Sequence, residues 1–162
     1  MIRLIYASTP IGVIGHNNSI PWHVSDDFKL FKEKTYGDIV VMGRQTYDSL
    51  PEKSKPLPGR HNIVISRQTD LHIPDVQVVN SFNDVLSQYK WQDIWVIGGV
   101  SIYKLALPFV DEIHQTTIYT DVKGDAVFQI PDIDTWNKID DSGVCTDAVS
   151  GIDYRVRVYR YI

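Results

Sequence analysis

Residues 94–110 read IWVIGGVSIYKLALPFV. The first five form a short, β-branched-rich and almost wholly apolar run, and two glycines close it. Apolar residues then return at helical spacing. A strand buried on both faces, ended by glycines and followed by a helix, is the repeating unit of a largely parallel sheet. The same pattern recurs at IVVM (39–42), NIVIS (62–66) and VQVV (76–79), with helix-period segments at SDDFKLFKEKT (25–35), RQTYDSL (44–50) and FNDVLSQYK (82–90). IRLIYAS (2–8) and IHQTTIY (113–119) read as further strands. In YRVRVYRYI (154–162), tyrosines and valines alternate with arginines, which predicts an antiparallel strand near a sheet edge with one solvated face. The expectation is an α/β fold with one sheet and a single domain over 1–162.

Composition narrows the function classes. A net charge of −4 over 162 residues argues against nucleic acid or an anionic membrane as the main partner. Cys145 is the only cysteine, which rules out an intramolecular disulfide and a thiolate metal cluster. The histidines at 16, 23, 61, 72 and 114 lack metal-ligand spacing, so no metal site is expected. MIRLIYASTP is too short and polar for a signal sequence, and no run approaches the roughly 20 apolar residues of a membrane span. A cytoplasmic protein is the expectation. PEKSKPLPGR (51–60) reads as a loop, being too short for an interdomain linker.

IPWHVSDDFKLFK (20–32) carries two adjacent carboxylates. With Ser25 as N-cap, Asp26 and Asp27 fall in the first helical turn, where the helix dipole favours both. The helical wheel separates them. At about 100° per residue, Asp27 falls on the arc of Phe28, Leu30 and Phe31, and Asp26 beside Lys29 and Glu33. Lys34 also projects toward the apolar side, at the far end, where its stem can snorkel. A carboxylate on an apolar arc loses hydration, its pKa rises, and it suits a bidentate partner such as the N–C–N edge of a heterocycle. From position alone, a helix-terminal charge and a working acid both remain open for Asp27.

Other stretches point to ligand contacts. GVIGHNNSIPWH (12–23) is long enough to be a mobile lid or a plain surface connection. VMGRQT (41–46) places Arg44 where a strand feeds a helix, a suitable phosphate site. PLPGR (56–60) sets Arg60 on a stiff turn, suited to a carboxylate. The glycines at 98 and 99 permit close backbone approach to a pyrophosphate, and tight packing explains them equally.

Taken together, GVIG (12–15), IPW (20–22), Asp27 with Phe31, VMGR-T (41–46), PLPGR (56–60), NIVIS (62–66), VIGG with Tyr103, Thr116, and Gly124-Asp125 with Phe128 resemble dihydrofolate reductase of the bacterial chromosomal type over nearly the whole chain. The resemblance implies a mixed, mostly parallel eight-stranded sheet flanked by helices, with an antiparallel C-terminal strand. It implies NADPH-dependent reduction of 7,8-dihydrofolate to tetrahydrofolate for one-carbon metabolism, an antifolate target, and a monomer. Asp27 would grip the pterin and promote its protonation through a water, with Thr116 orienting it and Trp22 holding that water. Ile5, Ala7, Phe28, Phe31, Leu50 and Ile97 would line the substrate pocket. Arg60 would take the glutamate α-carboxylate, assisted by Lys55, an exposed lysine.

For NADPH, the resemblance assigns Ala7, Ile14, Gly15, Asn18, Ser19 and Ile20 to the nicotinamide side. Gly43, Gln45, Thr46, Gly98, Gly99, Val100, Ser101, Ile102 and Tyr103 would serve the pyrophosphate, and Arg44, Ser66 and Arg67 the 2′-phosphate. Asp121 and Asp125 would hydrogen-bond to the lid. Val100 stands where the family has Gly or Ala, so the turn there must use ordinary dihedrals. The rivals are the related reductase domain of riboflavin biosynthesis, which lacks the IPW-to-Asp27 and PLPGR combination, and a non-catalytic module keeping the fold.

Overall fold

The computed structural model describes residues 1–161; Ile162, the end of the predicted strand 154–162, lies outside the described residues. The elements are β1 (Ile2–Ser8), β2 (Val13–Gly15), α1 (Ser25–Thr35), β3 (Ile39–Gly43), α2 (Arg44–Ser49), β4 (His61–Ile65), β5 (Gln77–Val79), α3 (Phe82–Tyr89), β6 (Ile94–Gly98), α4 (Val100–Ala106), β7 (Glu112–Ile118), β8 (Ala126–Val127), β9 (Asn137–Thr146) and β10 (Asp153–Arg160). Eight strands form one sheet in the order β5-β4-β3-β6-β1-β7-β10-β9, and β2 and β8 pair separately. The β5–β4, β4–β3, β3–β6 and β6–β1 pairings are parallel, whereas β7–β10 and β10–β9 are antiparallel. This is the mixed, mostly parallel sheet expected.

The chain forms two compact units, with β1 running through both. The first comprises Met1–Leu4 and Thr35–Val110. Its core is the apolar runs themselves: Val40, Val41, Met42, Ile63, Val64, Ile94 and Val96 have no solvent exposure. Strands covered on both faces need no polar alternation. Ser81 caps α3 by accepting from the Asp84 N–H at 3.2 Å. The predicted helix 100–110 is shorter than expected. It stops at Ala106 and tightens into a 3-10 turn, Leu107–Phe109. Pro108 is the reason, since it lacks an N–H and disfavours helical geometry in the residue before it.

The second unit comprises Ile5–Lys34 and the described residues from Asp111 onward. Trp22, Val24 and Ile118 form a buried cluster, flanked by Ala7, Val122, Ile152 and Tyr154. The arginine face of β10 is ion-paired as well as solvated, with Arg155 and Arg160 keeping 31% and 53% side-chain exposure. Arg155 makes two 2.7 Å hydrogen bonds to Asp141, and Arg160 bonds Glu112 at 2.9 and 3.2 Å. Asp141 also takes Lys138 at 2.8 Å, and these bonds, Arg155's first, hold its carboxyl far below the usual carboxylate range. The carboxylates sit on β7 and on β9, an edge strand that the sequence reading did not anticipate.

Candidate active site

In the second unit, β1 alternates. Tyr6 and Ser8 are buried, whereas Ile5 and Ala7 are only partly covered, so one face of the strand stays accessible. Asp27 lies in the first turn of α1 and is half-buried. Desolvation pushes its carboxyl pKa up, against a hydrogen bond from Thr116 and the positive charge of Lys34, both of which pull it down. Thr116 is buried on β7 and Trp22 is buried in the apolar cluster. Phe31 is half-buried, whereas Phe28, expected on the apolar arc, is 40% exposed and packs against His23 at a centroid distance of 5.3 Å. Asp26 points elsewhere, accepting from the Tyr154 hydroxyl at 3.0 Å. The wheel's separation of the two aspartates therefore holds in the structure.

The start of α1 differs from expectation. Ser25 is its first helical residue rather than its cap. The cap comes from Asp147, 121 positions away, whose carboxylate accepts from the Asp26 N–H at 2.9 Å. Asp147 is 1% exposed and held by the Ser150 hydroxyl at 2.7 Å. That bond, with the backbone N–H groups of Asp26, Ser150 and Ser25, keeps its carboxyl well below the usual carboxylate range. No sequence motif flags a cap so remote.

The predicted lid follows in the same unit. Gly15 belongs to β2 and Ile14 is half-buried, while Asn18, Ser19 and Ile20 are exposed. A turn closes between His16 and Ser19, with Asn17 and Asn18 at positive φ. The Asn17 N–H donates to Asp125 at 3.1 Å, which supplies the loop-to-lid bond expected of the Asp121–Asp125 segment. Gly124, which precedes Asp125 in the sequence motif, is required by the packing. A Cβ there would sit 2.3 Å from the Gly15 carbonyl oxygen.

In the first unit, Gly43 precedes α2 and leaves room for Ile102, whose Cγ1 would lie 3.1 Å from an added Cβ. Gln45 is exposed, and Arg44 Nε bonds both oxygens of Asp48 at 3.1 Å. The Gly98–Gly99 peptide is cis, and the positive φ falls on Gly98, at 133°. Val100 begins α4 with ordinary helical geometry, so a β-branched residue is tolerated there. Ser101 is exposed, Ile102 and Tyr103 are buried, and the Tyr103 hydroxyl donates to the Ile97 carbonyl at 2.9 Å. An added Cβ at Gly98 or Gly99 would come within 3.4 or 3.3 Å of Thr46 Oγ1. Ser66 follows β4 and is tied by Asn80, whose amide donates to the Ser66 carbonyl at 2.9 Å, and Arg67 beside it is exposed.

Leu50 ends α2 and is half-buried, as is Ile97 in β6. Arg60 is braced by the Pro58 carbonyl at 2.9 Å and the Thr35 hydroxyl at 3.1 Å, with its turn closed by Gly59 at φ 73°. Lys55 corrects an expectation: its side chain is only 18% exposed. It lies over the Tyr47 ring at 5.6 Å and donates to the Asp48 carbonyl at 3.1 Å. The aromatic face and the carbonyl both take the ammonium head that an isolated lysine would give to water. Among the described residues, no group of three or more metal-ligating side chains occurs, and no helix is long and apolar enough to cross a membrane.

The class defined by fold and site is an α/β protein with a mostly parallel sheet, glycines at strand ends, arginines near them, and a helix-borne, desolvated carboxyl. Comparison narrows the class. The profile described as dihydrofolate reductase matches residues 1–161, and the chain belongs to that family, in its bacterial chromosomal type. It is 40% identical over 162 residues to the dihydrofolate reductase of Mycobacterium tuberculosis strain H37Rv, covering 98% of this chain and 97% of that one. The Bacillus subtilis enzyme is 32% identical, with 98% and 94% covered. Among solved structures, a dihydrofolate reductase from Enterococcus faecalis complexed with NADP(H) and RAB-propyl superposes with a TM-score of 0.90. That protein is 29% identical, with 99% of this chain and 95% of that chain covered. The chain is an oxidoreductase of this family.

Proposed function

We propose that this enzyme reduces 7,8-dihydrofolate to 5,6,7,8-tetrahydrofolate with NADPH, and that Asp27 promotes the accompanying proton addition. The observation that carries this reading is Asp27 itself: a helix-borne carboxyl with its pKa raised by desolvation and held by the Thr116 hydroxyl. Such a group resists ionisation at neutral pH more than a surface aspartate does, which suits a residue linked to proton delivery. Thr116 fixes the carboxyl's orientation, and Trp22 is the residue assigned to hold the intervening water. Ile5, Ala7, Phe28 and Phe31 supply apolar surface in one unit and Leu50 and Ile97 in the other. Arg60, braced through Nε and one terminal nitrogen, is the residue assigned to the substrate carboxylate, with Lys55 assisting.

The donor set fits NADPH. Arg44, Ser66 and Arg67 offer two guanidiniums and a hydroxyl, a combination suited to the 2′-phosphate that distinguishes NADPH from NADH. Gly43, Gly98 and Gly99 are assigned to the pyrophosphate, together with Gln45, Thr46, Val100, Ser101, Ile102 and Tyr103. Ala7, Ile14, Gly15, Asn18, Ser19 and Ile20 are assigned to the nicotinamide and its ribose. When bound, NADPH supplies the hydride. We assign these roles to a single catalytic domain working as a monomer. Loss of reduced-nicotinamide absorbance on adding dihydrofolate to enzyme and NADPH tests the reading; NADPH binding without oxidation would overturn it in favour of a non-catalytic module.

A further inference from the structure

Lys34 and His114 form a contact that the catalytic reading leaves unused. Lys34 Nζ lies 2.8 Å from His114 Nδ1, and His114 Nε2 lies 2.7 Å from Glu112 Oε1. Glu112 is 6% exposed, and its other oxygen takes Arg160 at 2.9 Å. The proton positions follow from chemistry. A carboxylate only accepts, so the ring proton sits on Nε2; Nδ1 then offers its lone pair to an ammonium that only donates. The ammonium is therefore seated on a ring that is itself fixed from behind.

Register ties this chain to Asp27. On α1, Asp27 and Lys34 are seven residues apart, two turns on one face, roughly 10 Å along the axis. On β7, Glu112, His114 and Thr116 alternate along one face at two-residue intervals. The helix thus meets the strand in two places: Asp27 hydrogen-bonds Thr116, and Lys34 bonds His114. Other charges face Lys34 as well. Burial works against its charge and lowers its pKa, while Asp27, Asp140 and Glu112 attract it, and it lines a recess of about 350 Å³ with Asp26, Lys29 and Glu33.

We propose that Lys34 is a positioning residue for Asp27. Its ammonium, seated on His114 and backed by Glu112 and Arg160, fixes a positive charge two helical turns along the same face and sets the pH range over which the Asp27 carboxyl changes charge. A nearby positive charge favours the carboxylate, so removing it moves the midpoint up. At about 10 Å and an effective dielectric between water and protein, the shift is roughly 0.5–1 pH unit. This inference rests on the reading of Asp27 as the proton-linked residue.

The test follows the carboxyl carbon of Asp27 by NMR through a pH titration of the whole protein labelled at aspartate, with the resonance identified by its loss in Asp27→Asn. Lys34→Met and Lys34→Gln are expected to raise the midpoint by roughly 0.5–1 unit, and Lys34→Arg to leave it in place. The descending limb of kcat/KM for dihydrofolate is expected to move with it, toward higher pH. An unchanged midpoint in both neutral variants would overturn the proposal, as would an equal shift in Lys34→Arg, which would mark a structural role. A moved midpoint with a stationary pH–rate limb would overturn the link to turnover. If the midpoint moves but the unsubstituted protein never turns over dihydrofolate, the coupling stands and the functional reading falls.

Discussion

At the scale of single residues, the desolvated carboxyl of Asp27 lowers stability. Its carboxyl pKa is raised in the folded protein, so between its ordinary and raised values the folded state binds more protons than the unfolded state. Stability contributed by this group therefore falls as pH rises through that window and stays lowered above it. Asp27→Asn, which cannot ionise, should melt higher than the unsubstituted protein at neutral pH, by roughly 2–4 °C for each kcal/mol recovered. The gap should close below about pH 4, where both side chains are uncharged. Calorimetry at both pH values checks this, and a lower melting point at neutral pH would show that the carboxyl is not desolvated. The helical wheel alone separated Asp27 from Asp26, because amphipathic position is written in sequence. The Lys34–His114–Glu112 chain was not legible, because it needs the register between a helix and a strand about 80 residues apart.

At the scale of elements, strands buried on both faces were the most legible. IVVM, NIVIS, VQVV and IWVIG became β3, β4, β5 and β6 with boundaries shifted by at most one residue. The edge strand β9 was not. NKIDDSGVCT carries more charge and glycine than apolar residues, and its pairing is interrupted twice, so neither alternation nor continuous hydrophobicity marks it. Remote capping is equally hidden. Asp147→Ala should release the start of α1 and lower the melting temperature by roughly 3–6 °C at neutral pH. The sign with pH is opposite to that of Asp27: this carboxyl is depressed, so its stabilisation is present above about pH 4 and is lost as pH falls toward the folded value. The Asp147→Ala deficit should shrink on acidification, and a constant deficit would contradict the cap. Beside the predicted lid, Gly124→Ala would force a Cβ against the Gly15 carbonyl. Turnover is expected to fall several-fold or more while the fold persists, checked by kcat and far-ultraviolet circular dichroism together.

At the scale of the whole molecule, the family and the α/β class were readable because the glycine, arginine and aspartate motifs come in a fixed order along the chain. Exposure was less readable: Lys55 lies over an aromatic ring and Phe28 faces solvent, and both depend on packing. The proposed preference for NADPH is testable at two arginines. Arg44→Ala and Arg67→Ala should each weaken NADPH by roughly 10-fold or more while leaving NADH nearly unchanged, since only the former has a 2′-phosphate to lose. Thermal shift with each coenzyme measures this, and equal losses for both would remove the arginines from the 2′-phosphate.

The most direct test of the account is the pH dependence of dihydrofolate turnover in the unsubstituted enzyme and in Asp27→Asn. The account predicts a loss of about 100-fold or more at neutral pH in the variant, with partial recovery on acidification, when solvent protons substitute for the missing acid. Undiminished turnover in Asp27→Asn at neutral pH would contradict it, and would leave this desolvated carboxyl without a catalytic role.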